Sequence, residues 1–196
     1  MRLHYGAVPE NKDFIPEAEG WHNVRELSPI ASQIIAIPVA IGLLFIWRVC
    51  LVLFQQEAFS SQTSRIEINI GALLLLLLIP AHEFLHALVH PGWGLSSNTI
   101  IGLWLSKGMF YAYYEGAMSR NRLLLVYVTP YIILGMLPTI LIATIPELMQ
   151  SLLWLSLFGS VLACCDLVGA GLIFFQIPRS AIVRNKGWKT YWKSAP

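Results

Sequence analysis

Charge is scarce in this sequence. Of 196 residues, 13 are Lys or Arg and 11 are Asp or Glu, so charged side chains make up 12% against 56% hydrophobic ones. Mean hydropathy is +0.63. A water-facing surface needs more charge than that, which excludes an ordinary soluble globule and puts lipid over much of the surface. The net charge of +2 is too small for a nucleic-acid partner, and none is expected. Cysteine is scarce as well. Cys50, Cys164 and Cys165 all lie in apolar runs and two of them are adjacent, which excludes a disulfide framework. A secretory leader is lacking too. Glu10, Asp13, Glu17, Glu19 and Glu26 precede any apolar run, and no short apolar core with a small-residue cleavage site follows. The first apolar segment is therefore expected to stay in the mature protein. Neither internal repeats nor low-complexity tracts occur.

Apolar runs are what the chain does have. They cover about Ile30–Phe54, Ile68–Val89, Leu123–Ile145 and Leu148–Ile177. Roughly 20 residues of helix cross a bilayer core about 30 Å thick, and backbone groups in lipid must pair within their own segment. The expected fold class is thus an all-α integral membrane protein of about four transmembrane helices. Pro130 and Pro138 predict kinks in the third helix, and Pro80 a bend in the second. The expected organisation is a polar N-terminal tail over 1–29, a membrane-embedded domain over 30–178 and a basic C-terminal tail over 179–196. With four spans, both ends share a side with the loop between spans two and three. Arg2, Lys12, Arg25, Lys107, Arg120, Arg122, Arg179, Arg184, Lys186, Lys189 and Lys193 fall on that side, against Arg65 and the helix-end Arg48 on the other. The bias predicts cytosolic termini. In the same loop, Thr99–Leu105 and Met109–Tyr114 are rich in β-branched or aromatic residues and flank Ser106-Lys107-Gly108. They predict a short β-hairpin, the alternative being a loop lying on the surface.

The chemistry is concentrated in His82-Glu83-Phe84-Leu85-His86. Residues four apart share a helix face, so the two imidazoles can hold one zinc ion while Glu83 acts as general base towards a water. A bare H-E-x-x-H is only moderately specific. Inside an apolar run, however, a carboxylate costs a few kcal/mol or more unless compensated, and a divalent cation supplies the compensation. The competing reading has the histidines bonded to other helices and Glu83 protonated. A catalytic zinc needs a third protein ligand. Asp166 is the candidate by depth: Glu67 to His86 and Glu147 to Asp166 both span 19 residues, or roughly 28 Å of helix. A salt bridge from Asp166 to Arg48 or Arg179 is the alternative. His90 continues the histidine stripe, and Glu115 in the loop could bend inwards. Glu147 falls on the wrong side of the bilayer, and Cys164 and Cys165 read as packing residues. Gly92 stands ten residues after His82, which excludes the soluble metzincin pattern.

These residues resemble a known family, the putative zincin peptidases, small multi-span membrane proteins grouped as a domain of unknown function. The likeness runs from about the first span to the C-terminal tail. It rests on His82-Glu83-Phe84-Leu85-His86-Ala87-Leu88 with its apolar lead-in and on Thr129-Pro130-Tyr131 after an Arg-rich approach. It extends over Gly159-Ser160 to Cys165-Asp166-Leu167 and over Ile177-Pro178-Arg179. Cys164-Cys165 replaces the small Gly/Ser cluster that usually precedes the family's Asp. The family is similar in turn to site-2 intramembrane proteases, which join H-E-x-x-H on one transmembrane helix to a carboxylate on a later one. Their Asn-Pro element is missing here, so that likeness is architectural. The resemblance implies His82, His86 and Asp166 as zinc ligands and Glu83 as base. The expected function is zinc-dependent hydrolysis of peptide bonds in membrane-associated substrates near the cytosolic face, with a prokaryotic plasma membrane as the location. Its partners would be the bilayer and a membrane-protein or peptide substrate. A metal-handling or transport protein, and a scaffold whose helices zinc ties together, are the readings from other classes.

Overall fold

The computed structural model describes residues 1–54 and 65–194. The link between the first two apolar runs (55–64) and the last two residues of the expected C-terminal tail lie outside them. The chain opens with strands β1 (Arg2–Tyr5) and β2 (His22–Asn23), then helices α1 (Pro29–Phe54) and α2 (Arg65–Val89). Strands β3 (Thr99–Trp104), β4 (Met109–Tyr114) and β5 (Ala117–Ser119) follow. Helix α3 (Arg120–Pro130) runs through a π-helical segment, Tyr131–Met136, into α4 (Leu137–Thr144). Helices α5 (Met149–Leu162) and α6 (Cys164–Gln176) and strands β6 (Ala181–Lys186) and β7 (Lys189–Ser194) complete the described chain.

This corrects the all-α, four-span expectation. The fold is mixed α/β, with a three-stranded sheet ordered β1-β3-β4 and a four-stranded sheet ordered β2-β7-β6-β5. Among the described residues, two helices are long and apolar enough to cross a membrane: Ile30–Leu53, and Arg120–Thr144 as one rod. A third span results only if α5 and α6, which meet at a 43° bend, are taken as one. Among the described residues, Leu73–Val89 of the second run forms a shorter apolar helix. Counting apolar residues could not see the break at Ala163, because neither Gly nor Pro stands there.

Each sheet joins segments that are distant in the chain. β1 pairs in parallel with β3, Leu3 opposite Ile101, while β2 runs antiparallel to β7. The hairpin β3–β4 pairs Ile101 with Ala112, and its turn closes on Gly108, whose φ of 59° suits the left-handed conformation that Gly adopts without strain. Ser119 starts α3 by accepting the Arg122 N–H, an N-cap worth about 1 kcal/mol. One core, built from Val24, Tyr114, Met118, Leu123, Val126, Ile173, Ile177, Ala181 and Val183, joins the four-stranded sheet to the facing ends of α3 and α6. A second packs Trp47 and Leu51 of α1 on Ile142 of α4, and the Trp47 indole N–H donates to Ser156 Oγ (3.0 Å) on α5. Close helix approach needs small residues. A methyl on Gly159 would lie 2.1 Å from the Leu134 carbonyl oxygen, so α5 rests directly on the π-helical segment.

Candidate metal centre

Helix α2 presents His82 and His86 one turn apart, as the spacing requires, and both rings are buried. Their centroids are 4.8 Å apart and nearly perpendicular, so the two Nε2 atoms approach to 3.2 Å. Asp166 arrives from α6. The break at Ala163 restarts the helix, which places this carboxylate in the first turn, where the positive end of the helix dipole favours an anion. Asp166 Oδ2 lies 2.8 Å from His82 Nε2, and Oδ1 lies 3.4 Å from His86 Nε2. The neighbouring Gly169 keeps that turn close to α3, since a methyl there would come within 3.0 Å of the Tyr127 ring.

The donor set fits a zinc ion. Donors about 2.0–2.1 Å from zinc at a tetrahedral angle sit about 3.3 Å from one another, close to the 3.2 Å between the two imidazoles and the 3.4 Å from His86 Nε2 to Asp166 Oδ1, while the 2.8 Å from His82 Nε2 to Oδ2 is that of a direct hydrogen bond. The hydrogen positions argue the same way. His86 Nδ1 donates to the Val126 carbonyl (2.8 Å), so the Nε2 of the neutral ring is a bare lone pair, and it faces a carboxylate oxygen. Two acceptors pointed at each other repel unless a proton or a metal ion lies between them. Among the described residues, His82, His86 and Asp166 form the group of three with donor atoms mutually within reach of one ion.

Glu83 sits beside this group but outside it. Its Oε2 accepts the backbone N–H of Ala112 on β4 (2.8 Å). β4 is the edge strand of its sheet, and this N–H points away from β3. By alternation the N–H groups of Phe110 and Tyr114 face the same way as that of Ala112.

The other candidates lie elsewhere. His90 is buried past the end of α2, its ring against Tyr114 and its Nδ1 without a hydrogen-bond partner. Burial, reinforced by His86 and Arg122 nearby, pushes its pKa down to about 4. Glu115 pairs with Arg2 across the three-stranded sheet. Glu147 is in the turn before α5. Cys164 and Cys165 are free thiols beside Asp166 but not part of the cluster, and the ion pairs of Asp166 are with the two histidines.

Three groups that position the site escaped sequence reasoning: the Val126 carbonyl, the Ala112 N–H and Arg122. The Arg122 guanidinium donates to the carbonyls of Val89 and of His90 (3.1 Å for the latter), which closes the C-terminus of α2, where helical carbonyls lack partners. Only Val126 had a sequence signal, the proline four residues on.

Residues 75–182 match the model of a family described as putative zincin peptidase, a stretch that holds His82, Glu83, His86 and Asp166. No curated protein and no solved structure matches the chain.

Proposed function

Because the chain belongs to the family of putative zincin peptidases, we propose that it is a zinc-dependent endopeptidase acting on membrane-associated peptide segments beside the cytosolic membrane face. The observation that carries this reading is the meeting of His82, His86 and Asp166 from two helices, with Glu83 one residue from the first of them. Among the described residues three donors converge. Catalytic zinc uses three protein ligands and keeps a position open, whereas a structural site fills all four.

His82, His86 and Asp166 would hold the ion. Bound there, zinc would act as a Lewis acid on the scissile carbonyl and bring the pKa of a water towards 7. Glu83 takes the proton from that water and returns it to the leaving amine. Its bond to Ala112 keeps the carboxylate turned to the strand edge. The outer edge of β4, to which no strand among the described residues is paired, would give an extended substrate a ladder to join and hold its carbonyl beside Glu83. A helical substrate must unwind before it can pair there. Both sheets carry basic side chains, among them Arg2, Arg184, Lys186, Lys189 and Lys193, and this supports a cytosolic position for the sheet layer. The plasma membrane of a prokaryote is the location proposed.

The test is zinc content and peptide cleavage by purified protein in lipid nanodiscs. Wild type is expected to carry stoichiometric zinc and His86→Ala to lose it. Glu83→Gln should keep the metal while cleavage falls about 100-fold or more. Phe110→Pro removes an outward N–H from β4 without touching its pairing to β3, and should raise KM with zinc unchanged. Wild-type protein that takes up no divalent metal would sink the proposal.

A further inference from the structure

A helical carbonyl at position i ordinarily receives the N–H of residue i+4. Pro130 has no N–H, so the carbonyl of Val126 lacks that helical partner. A carbonyl left unpaired in an apolar interior is costly, so prolines in such helices persist where another group takes over the bond. Here His86 Nδ1 donates to that oxygen at 2.8 Å, and Val126, Pro130 and the imidazole are all buried. A carbonyl only accepts, so this contact specifies which ring nitrogen bears the hydrogen. In the neutral ring it leaves Nε2 bare and turned to His82 Nε2 and Asp166. His82 has no such support, because its buried Nδ1 finds no hydrogen-bond partner among the described residues. After Pro130 the helix widens into the π-helical segment, Tyr131–Met136.

We propose that Pro130 is a positioning residue of the metal site: by withholding its own N–H it reserves the Val126 carbonyl for His86, and so fixes the imidazole in the tautomer that binds metal through Nε2. The inference rests on the zinc reading above. Pro138 is the internal control. It lies one helical stretch further along the same rod, eight residues from Pro130, and its i−4 carbonyl belongs to Leu134 on the side of α5.

The experiment measures zinc affinity of the full chain by competition with a chromogenic chelator, for wild type, Pro130→Ala and Pro138→Ala, with thermal unfolding of the chelated proteins alongside. Pro130→Ala should bind zinc about 10- to 100-fold more weakly, as loss of a hydrogen bond that orients a ligand does. Its metal-free Tm should stay level or rise, since Ala restores a helical bond. Pro138→Ala should change affinity less than about twofold. Equal affinity of Pro130→Ala and wild type would overturn the positioning role alone, whereas wild type without zinc would overturn the reading beneath it. The ¹⁵N-histidine spectrum of the metal-free wild type decides the matter even where the variant fails to fold. His86 protonated on Nδ1 supports the proposal, and His86 protonated on Nε2 refutes it.

Discussion

Each nitrogen of His86 has its own duty, one bound to Val126 and one turned to the metal centre, while His90, one turn on, has neither. His90 is a neutral ring held in an apolar setting. An unfolded histidine titrates near pH 6.5, whereas His90 in the fold takes a proton only near pH 4. Between those values the unfolded chain binds a proton that the folded chain refuses. Stability should therefore fall as pH drops from above 6.5 towards 4, by up to about 3 kcal/mol. The comparison that checks this is the Tm of chelated wild type and His90→Gln at pH 7 and pH 5. The variant should lose less, and equal losses would refute the assignment. At this scale the H-E-x-x-H stripe was readable because a 3.6-residue period alone puts i and i+4 on one face. The roles of Val126 and Ala112 were not, because they act through backbone atoms, and every residue carries those.

Among the elements, α2 shows how a turn beyond a helix governs what the helix can do. Its last carbonyls are closed by Arg122 and by the Gly94 N–H, which donates to His90 O (3.2 Å). Gly94 has φ of 71°, and a methyl there would stand 2.2 Å from the Ala87 carbonyl oxygen, directly beneath the histidine pair. Gly92 has nearly the same φ, 70°, but open space around it. Gly92→Ala should cost about 1 kcal/mol from backbone strain, and Gly94→Ala roughly 3 kcal/mol or more, because overpacking adds to that strain. Thermal unfolding of the two variants measures the difference, and equal losses would mean that the close approach is unimportant. The turn signal in Pro91-Gly92-Trp93-Gly94 was plain in the sequence. Which glycine touches the helix was decided by packing. The bend between α5 and α6 left no local mark, yet it puts Asp166 in a first turn.

As a whole, the molecule joins an apolar helical body to a layer of two sheets. Ile30, Ile34, Ile41 and Phe45 lie exposed along α1, and their exposure makes sense only against lipid. Alkaline carbonate extraction should leave the chain in the membrane pellet, and release to the supernatant would contradict the membrane association that the two long apolar helices imply. The sheet layer is tied together from distant segments. The Tyr113 hydroxyl on β4 donates to Asn185 O on β6 (3.0 Å), and Trp104 stacks on Trp188 between the sheets, centroids 6.2 Å apart. Hydropathy has no means of counting such strands. Residues 2–5 and 22–23 are short and polar, and each becomes a strand only because β3 or β7 offers an edge nearly a hundred residues or more away.

By itself the sequence determined that the chain is apolar enough to associate with a membrane and that His82 and His86 share a helix face with Glu83 between them, and it offered a hairpin over 99–114 beside a surface loop. All of these follow from composition or from a local period, which neighbours in space do not alter. Tertiary structure alone decided how many helices reach across a bilayer, and that both ends of the chain fold into sheets. It also decided that Asp166 meets the histidines, that Glu83 faces a strand edge, and that a proline's missing hydrogen bond is completed by a histidine. Those outcomes depend on which surfaces pack together, and strand pairing or a helix break at Ala163 takes its energy from partners distant along the chain.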